Sequence, residues 1–354
     1  MRKKVITAVA TLLLLAGVIF AYAANISDNS LANINPDREL LRVAYVIEDS
    51  DSIPDPTLFT HYFYAFAGFN DNCDGLVIPK PEKLHRLVDL KKQNPALKII
   101  LSVGGDKCGG FSEMARNRNK RNRLIKSCLA IMDSMNIDGF DFDWEYPGIA
   151  KPNYTASSKD AANYVTLMKN LRSKLGKDKW LSFYSSNSAN YMDFKGMVEY
   201  VDYVMVSGYE LSNKPKVGTL GFMNNLYASK EYGEWSVDKS IARHISRGVP
   251  REKILLGIPF FAKGATPFPK VFSDYKIPRY LNQSTILEWD DSAKVPYYRN
   301  NDGDLILSFD NERSIGIKSD YIRKQGLSGG FVWHYDSDYP GHPLANALKK
   351  GLEK

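Results

Sequence analysis

The sequence predicts an α/β fold, a (β/α)8 TIM barrel with a small β or α+β element inserted between its seventh and eighth strands. Short apolar, β-branched or aromatic runs alternate with helical stretches, which is the pattern of a parallel sheet closed by crossover helices. The chain has 354 residues, a length typical of such a barrel with insertions. Eight strand-like runs occur, at residues 41–47, 61–66, 98–103, 137–145, 180–184, 203–207, 254–259 and 329–335.

The segments between these runs carry helix signals. In residues 161–175 apolar side chains recur at helical spacing, and Gly176 follows as a C-terminal stop. Residues 238–248 and 313–326 also predict helices that end at glycine. These helices supply the crossovers that a parallel barrel needs.

A longer segment separates the seventh and eighth strands, at about residues 265–310. It is rich in turn residues and contains two strand-like runs, 295–298 and 304–309. We therefore expect a small inserted element here. Its aromatic side chains could line a groove wall, or they could form a packed hairpin beside the barrel.

The first 23 residues resemble a signal peptide. A basic start at residues 2–4 precedes an apolar run at 5–20 and a small-x-small pattern at 21–23. A retained membrane anchor is the alternative, but the apolar run is short for a spanning helix of about 20 residues. We therefore expect export to a secreted, periplasmic or cell-surface location, without a stable membrane span after cleavage. The predicted ranges are 1–23 for the signal peptide, 24–40 for a polar lead-in and 41–354 for the barrel.

Charge and cysteine content exclude several classes of function. The formal net charge is +7, and three of these charges lie in the leader, which leaves +4 for the rest. The basic run at 116–123 is more typical of a solvated face than of a nucleic-acid interface. The chain has three cysteines, an odd number without metal-ligand spacing, at Cys73, Cys108 and Cys128. One disulfide is therefore possible, but a framework of several disulfides is not. We expect a monomer without cofactor, metal or nucleic-acid partner.

The fourth predicted strand carries four acids between Ile137 and Pro147. Side chains alternate between the two faces of a strand. One face therefore carries Asp141, Asp143 and Glu145, and the other carries Phe140, Phe142 and Trp144. Carboxylates inside a barrel are costly to charge. They should titrate as a coupled set, with at least one protonated near neutral pH. Asp138 faces away by the same parity and is interpreted as structural.

Glu145 is the strongest candidate for a general acid, because it ends its strand on the side where barrel enzymes have their active sites. Asp143 lies about 7 Å back along the strand, so it neighbours Glu145 rather than facing it across a substrate. The nucleophile would then come from elsewhere, either from the substrate or from another carboxylate such as Glu210. A divalent-cation site is an alternative, although the alternating aromatics do not suit a flexible calcium loop. Zinc fits less well, since no His lies near this segment.

The acidic segment resembles the signature Asp-x-x-Asp-x-Asp-x-Glu of glycoside hydrolase family 18, the chitinase family. Three other segments are similar to the family's motifs. They are Ser102 to Gly105, which matches Ser-x-Gly-Gly, Gly329 to Trp333 on the eighth strand, and Trp289 to Tyr297 in the insertion. The resemblance covers nearly the whole chain after residue 23.

This resemblance implies hydrolysis of β-1,4 bonds in chitin or N-acetylglucosamine oligomers, by a substrate-assisted mechanism that retains the anomeric configuration. Glu145 would protonate the glycosidic oxygen and later act as a base. Asp143 would orient the substrate's acetamido group. Asp141 would hold a shared proton, with Tyr45 and Ser102 as its partners.

The resemblance also implies contacts with the sugar. Tyr209 would donate a hydrogen bond to the acetamido carbonyl, with a buried sheet tyrosine as the plainer interpretation. Trp333 would form an apolar floor under the sugar, or it could simply fill the barrel core. Further substrate contacts are expected from Phe66, Trp144, Tyr146 and Glu210.

Two segments depart from the family pattern. Ser207 and Glu210 replace a methionine and an aspartate on the sixth strand, and Phe261 and Ala262 replace a tyrosine and a glycine on the seventh. Polar sugar contacts should therefore differ. The same mechanism also serves endo-β-N-acetylglucosaminidases that act on N-glycans. A third interpretation is a non-catalytic chitin-binding lectin on the same barrel, although such lectins usually lose the acid that Glu145 keeps here.

Overall fold

Eight parallel strands close into the predicted barrel. The described residues contain eight barrel strands and six others, namely Leu41–Ile47 (β1), His61–Phe69 (β2), Leu76–Val77 (β3), Lys98–Gly104 (β4), Gly139–Asp143 (β5), Trp180–Ser185 (β6), Tyr203–Val206 (β7), Ile254–Pro259 (β8), Phe261–Gly264 (β9), Val271–Ser273 (β10), Ile286–Asp290 (β11), Val295–Arg299 (β12), Leu305–Ser308 (β13) and Gly329–Trp333 (β14). The barrel order is β1-β14-β8-β7-β6-β5-β4-β2, and β1 also pairs with β2, which closes the sheet. The short β3 adds antiparallel to the end of β2.

The computed structural model describes residues 38–353 except 153, 212, 215–219 and 266–267. The predicted signal peptide, and the predicted lead-in up to residue 37, lie outside the described residues. Among the residues that are described, no helix combines the length and the apolar character needed to cross a bilayer.

Helices cover the outside of the barrel. They are Pro81–Asp89 (α1), Phe111–Arg116 (α2), Arg118–Met135 (α3), Asp160–Leu175 (α4), Phe194–Met197 (α5), Val237–Ser246 (α6), Glu312–Gln325 (α7) and Pro343–Leu352 (α8). The three helices predicted from sequence correspond to α4, α6 and α7. Two of them end as expected, because Gly176 and Gly326 follow directly and adopt positive φ angles.

The strand limits agree closely with the sequence prediction. One difference lies at the C-terminal end of the fourth barrel strand. The fourth barrel strand was predicted over 137–145, but β5 spans only Gly139–Asp143. Beyond it, the backbone oxygen of Asp143 accepts a hydrogen bond from the Gly105 N–H, at 3.0 Å. Glu145 therefore lies just past the strand, where its side chain can reach the mouth of the barrel.

The inserted element between β8 and β14 is a five-stranded antiparallel sheet with the order β10-β9-β13-β12-β11. It begins at Phe261, four residues earlier than the sequence predicted, because β9 follows β8 almost without a loop. Its rings largely pack on one another. Phe268 stacks on Phe272 at 6.0 Å, and Tyr280 contacts both. This favours the packed interpretation of the insertion's aromatics.

Two apolar layers fix the barrel. The inner layer contains the inward side chains of the strands, such as Val43, Phe63 and Ile100. The outer layer packs the opposite strand faces, such as Phe140 and Phe142, against the helices. Both layers exclude water, so any carboxylate that points inward is desolvated.

A buried ion pair ties the end of the insertion to α7. The Lys318 Nζ lies 2.5 Å from the Asp310 Oδ2, and both side chains are fully buried. The Ser314 hydroxyl donates to the Asp310 Oδ1 at 2.5 Å. Each charge compensates the other, so removal of either partner would leave an uncompensated charge in the core.

Replacing Lys318 with Met should destabilise the protein by about 3–5 kcal/mol, because Asp310 would remain buried without its counter-charge. Denaturant unfolding measures the loss. The exposed pair Lys294–Asp291, at 2.9 Å, supplies the control, since Lys294→Met should cost less than about 1 kcal/mol. The double variant Asp310→Asn/Lys318→Met should recover part of the loss. Equal, small losses at both lysines would contradict this account.

Candidate active site

A pocket of about 390 Å³ lies at the C-terminal ends of the barrel strands, where barrel enzymes carry their active sites. It is lined by Tyr45, Phe66, Gly105, Asp106, Asp143, Glu145, Tyr146, Tyr184, Tyr209, Glu210, Phe261 and Trp333. Eight of these residues were predicted from sequence as site residues. A larger groove of about 730 Å³ adjoins this pocket at Trp333 but contains none of the β5 acids.

Asp141 lies beneath the pocket and is fully buried. The Tyr45 hydroxyl and the Ser102 hydroxyl donate to its Oδ2, at 2.9 and 2.7 Å. The Ser182 hydroxyl donates to its Oδ1 at 2.6 Å. The first two contacts agree with the predicted partners, and Ser182 was missed. Burial raises the pKa of Asp141, while the three hydroxyl donors oppose that shift.

Asp143 is buried but reaches the pocket wall. Its Oδ1 has no hydrogen-bond partner among the described residues. Burial raises the pKa of Asp143 well above its ordinary value, and the charges of Glu145 and Asp141 raise it further. A carboxyl group in this setting keeps a proton far more readily than one in water.

Of the three inward acids of this segment, Glu145 is the least buried. Burial raises its pKa from 4.5 to about 7, with smaller contributions from the charges of Asp106 and Glu210. A hydrogen bond with Tyr146 and the charge of Lys151 act in the opposite direction. At neutral pH a large fraction of Glu145 therefore carries the proton that a general acid must donate.

Aromatic side chains form the walls around these acids. Phe66 stacks on Trp333 with ring centroids 5.5 Å apart, and Tyr45 contacts Trp333 at 5.4 Å. On the other side Phe261 meets Tyr209 edge to face at 5.5 Å. The pocket thus combines apolar ring faces with a few polar groups, as sugar-binding sites do.

The sequence profile of the glycosyl hydrolases of family 18 matches residues 41–338. The chain belongs to this family. The match includes every strand of the barrel, the acidic segment of β5 and the inserted sheet.

Relatives in this family are distant. A probable endochitinase of Caenorhabditis elegans is 27% identical, over 90% of this chain and 60% of that protein. Chitinase A1 of Niallia circulans is 29% identical, over 77% of this chain and 45% of that protein. The chain therefore spans only about half of these two relatives. Among solved structures, a family 18 N-acetylglucosaminidase from Paenibacillus barengoltzii aligns with a TM-score of 0.78 and 28% identity, over 88% of this chain and 99% of that one.

One predicted site residue of this family 18 protein is corrected. Trp144 was predicted to contact the substrate, but it lies on the helix side of the barrel. Its ring stacks on Phe111 at 5.1 Å and meets Tyr164 at 5.2 Å. The cause is strand parity, because a residue next to Asp143 must point to the opposite face.

Tyr209 and Glu210 follow β7 and both line the pocket. Glu210 adopts a φ of 52°, in the left-handed region. The Asn187 side chain donates to the backbone oxygens of Tyr209 and Glu210, at 3.0 and 3.1 Å. Two adjacent carbonyls are thereby fixed by one amide, which holds this unusual turn in place.

Asp138 lies at the opposite end of β5 from the pocket. Its Oδ2 accepts a hydrogen bond from the Ile99 N–H at 2.8 Å and pairs with the Lys91 Nζ at 2.5 Å. These contacts support the structural interpretation from sequence. Across the ranges that are described, no group of three or more His, Cys, Asp or Glu side chains is arranged to hold a metal ion.

Two further pocket residues, Tyr184 and Asp106, were not predicted from the sequence. Tyr184 shares its strand face with Ser182, so the alternation along β6 contained the signal for both. Asp106 follows Gly104 and Gly105, which have φ angles of 127° and 87°. A Cβ on Gly105 would lie 2.9 Å from the Phe66 ring, so only glycine permits this turn.

The raised pKa of Glu145 should appear in the stability of the protein. The folded state binds this proton more tightly than the unfolded chain. The resulting stabilisation is complete below pH 4.5 and is lost as the pH rises through about 7. The melting temperatures of the wild type and of Glu145→Gln should therefore change differently across this range. That of the wild type should fall relative to that of Glu145→Gln as the pH rises towards 7. The exposed Glu234→Gln controls for the chemical change. A constant difference between wild type and Glu145→Gln would contradict the assigned shift.

Proposed function

We propose that the protein hydrolyses β-1,4 bonds next to N-acetylglucosamine units in chitin or its oligomers. The single observation that carries the proposal is Glu145, an acid with a pKa of about 7 in a pocket of a family 18 barrel. The probable endochitinase and the chitinase A1 with which the chain aligns support the same substrate class.

In the proposed reaction, Glu145 donates its proton to the glycosidic oxygen as that oxygen leaves the anomeric carbon. The substrate's own acetamido oxygen attacks the anomeric carbon and forms an oxazolinium ion. Water then attacks the same carbon, the bond from that carbon to the acetamido oxygen breaks, and a proton of the water passes to the Glu145 carboxylate. Asp143 is only two residues from Glu145 along the chain, which argues against an opposing carboxylate nucleophile from this pair.

Asp143 has the properties needed to orient the acetamido group. Its buried Oδ1 faces no donor among the described residues, and the N–H of an acetamido group would supply one. Leaving a buried acceptor unpaired costs free energy that such a ligand would recover. Asp143 would thus hold the acetamido group in the position for attack.

Tyr209 and Trp333 complete the proposed sugar site. Burial raises the pKa of Tyr209 well above its ordinary value, and the charges of Asp143 and Glu210 add to this. Its hydroxyl therefore keeps its proton and can donate to the acetamido carbonyl. The indole of Trp333 offers an apolar face for the C–H groups of the sugar ring.

A second candidate is the release of single N-acetylglucosamine units from chain ends. One observation favours it, namely the alignment over 99% of the length of the P. barengoltzii N-acetylglucosaminidase. Both candidates use the same acid and the same mechanism. We further propose that the reaction takes place outside the cytoplasm, which the signal-like residues 1–23 support.

Glu145→Gln should lower kcat on chitotetraose by about 10²–10⁴-fold, because the amide cannot donate a proton as an acid does. In the wild type the rate should fall as the pH rises through about 7, where Glu145 loses its proton. Circular dichroism and thermal unfolding would establish that the variant is folded. Wild-type turnover by a folded Glu145→Gln protein would refute the proposed role.

The products of a defined oligomer should distinguish the candidate activities. Substrate assistance predicts that the β-anomer forms first, which proton NMR can follow in the first minutes of the reaction. Chitotetraose should yield chitobiose if cleavage is internal, and mainly N-acetylglucosamine if units leave from chain ends. A high-mannose glycoprotein assayed in parallel should remain intact. Its cleavage, with chitotetraose untouched, would favour an endo-β-N-acetylglucosaminidase, and early α-anomer would exclude retention.

A further inference from the structure

Two residues of β6 extend the hydrogen-bond network of the acids. The Trp180 Nε1–H donates to the Ser182 Oγ at 2.8 Å, and the Ser182 hydroxyl donates to the Asp141 Oδ1 at 2.6 Å. Ser182 is fully buried. A chain of two hydrogen bonds therefore runs from the indole to the carboxyl group below the pocket.

The direction of this chain is fixed by chemistry. An indole N–H can only donate, so the Ser182 oxygen acts as its acceptor. The one hydrogen of the Ser182 hydroxyl is then available for Asp141. Burial excludes the water molecules that could otherwise compete for it. Trp180 thus holds Ser182 as a donor towards Asp141.

Ser182 occupies a distinct position among the donors to Asp141. Tyr45 from β1 and Ser102 from β4 both donate to Oδ2, whereas Ser182 from β6 donates to Oδ1. Each donor favours the ionised carboxylate. The titratable groups that interact electrostatically with Asp141 are Tyr45, Asp143 on the same strand, and Tyr164 on α4.

The two aspartates of β5 have very different hydrogen-bond environments. Asp141 accepts three hydroxyl hydrogen bonds, while the Asp143 Oδ1 accepts none from the described residues. When two neighbouring carboxyl groups share one proton, the proton stays on the group whose anion is less well solvated. By this comparison it stays on Asp143, and not on Asp141 as the family resemblance implied.

We propose that Ser182, held by Trp180, is a positioning residue that keeps Asp141 ionised and so leaves the shared proton of the pair on Asp143. The inference rests on the proposed function, because it concerns how the acids are prepared for that reaction. It concerns residues outside the recognised motifs, since neither Trp180 nor Ser182 contacts the pocket.

The pH dependence of kcat/KM on chitotetraose tests the proposal. In Ser182→Ala the loss of a donor to an anion raises the proton affinity of the Asp141–Asp143 pair. The acid limb should move to higher pH by about one unit. The alkaline limb, which reports Glu145, should not move. Trp180→Phe should shift the acid limb in the same direction by less, because the serine hydroxyl remains but is no longer oriented.

Two variants separate positioning from simple damage to the fold. Ser182→Thr keeps the hydroxyl and should restore the wild-type acid limb. Ser185→Ala makes the same change on the same strand at a buried hydroxyl that contacts the His244 Nε2, at 2.9 Å, instead of the acids. Its profile should match the wild type. A wild-type acid limb in Ser182→Ala, or an equal shift in Ser185→Ala, would overturn the inference.

A spectroscopic measurement tests the network without any substrate. The chain has five tryptophans, so ¹⁵N labelling of tryptophan gives five indole signals. The Trp180 signal, assigned with Trp180→Phe, should move as the aspartate pair titrates, and Ser182→Ala should abolish this movement. Trp235, whose Nε1 donates to the neutral Asn187 Oδ1 at 3.1 Å, is the internal control. An unresponsive Trp180 signal would overturn the inference even in an active enzyme, while a responsive one would support it even if chitotetraose were not cleaved.

Discussion

Desolvation of the β5 carboxylates is the constraint on which the site depends. Strand alternation directs Asp141 and Asp143 into an interior that excludes water. A buried charge is costly unless hydrogen bonds or opposite charges compensate it. The protein compensates Asp141 with three hydroxyl groups. Protons are therefore retained among these acids, and the pKa of Glu145, at the margin of the buried region, is raised to about 7.

Strand register places the serine hydroxyl groups beside the Asp141 carboxyl group that they compensate. Ser102 on β4 and Ser182 on β6 are the direct neighbours of Asp141 across the sheet. A slip of one residue in either pairing would turn these hydroxyls to the helix side and place an apolar side chain beside Asp141. Apolar packing of both barrel layers fixes the register. The core and the chemistry of the site are thus consequences of the same strand alignment.

Much of the fold and of the candidate site could be predicted from the sequence, because alternation and apolar runs are local signals. The eight strands and the inward acids were obtained in this way, whereas the partners Tyr45 and Ser102 came from the family resemblance. Trp144 was misassigned although its own parity excluded it from the pocket. Ser182 was missed for a different reason, since its role depends on which residue lies opposite it in β5, and register is a tertiary property. Asp106 could not be predicted because it follows a glycine turn whose path is set by Phe66 and Asp143.

Two residues that depart from the family pattern, Phe261 and Glu210, lie beside Tyr209. Phe261, which lacks the expected hydroxyl, still packs its ring against Tyr209, and Asn187 fixes the backbone that carries Glu210. The position of Tyr209 is therefore preserved while the polar composition of the wall changes. Glu210 has a further consequence, because its charge raises the pKa of both Tyr209 and Glu145. A carboxylate in the pocket wall, which the family's aspartate would also supply, thereby favours the protonated form of Glu145.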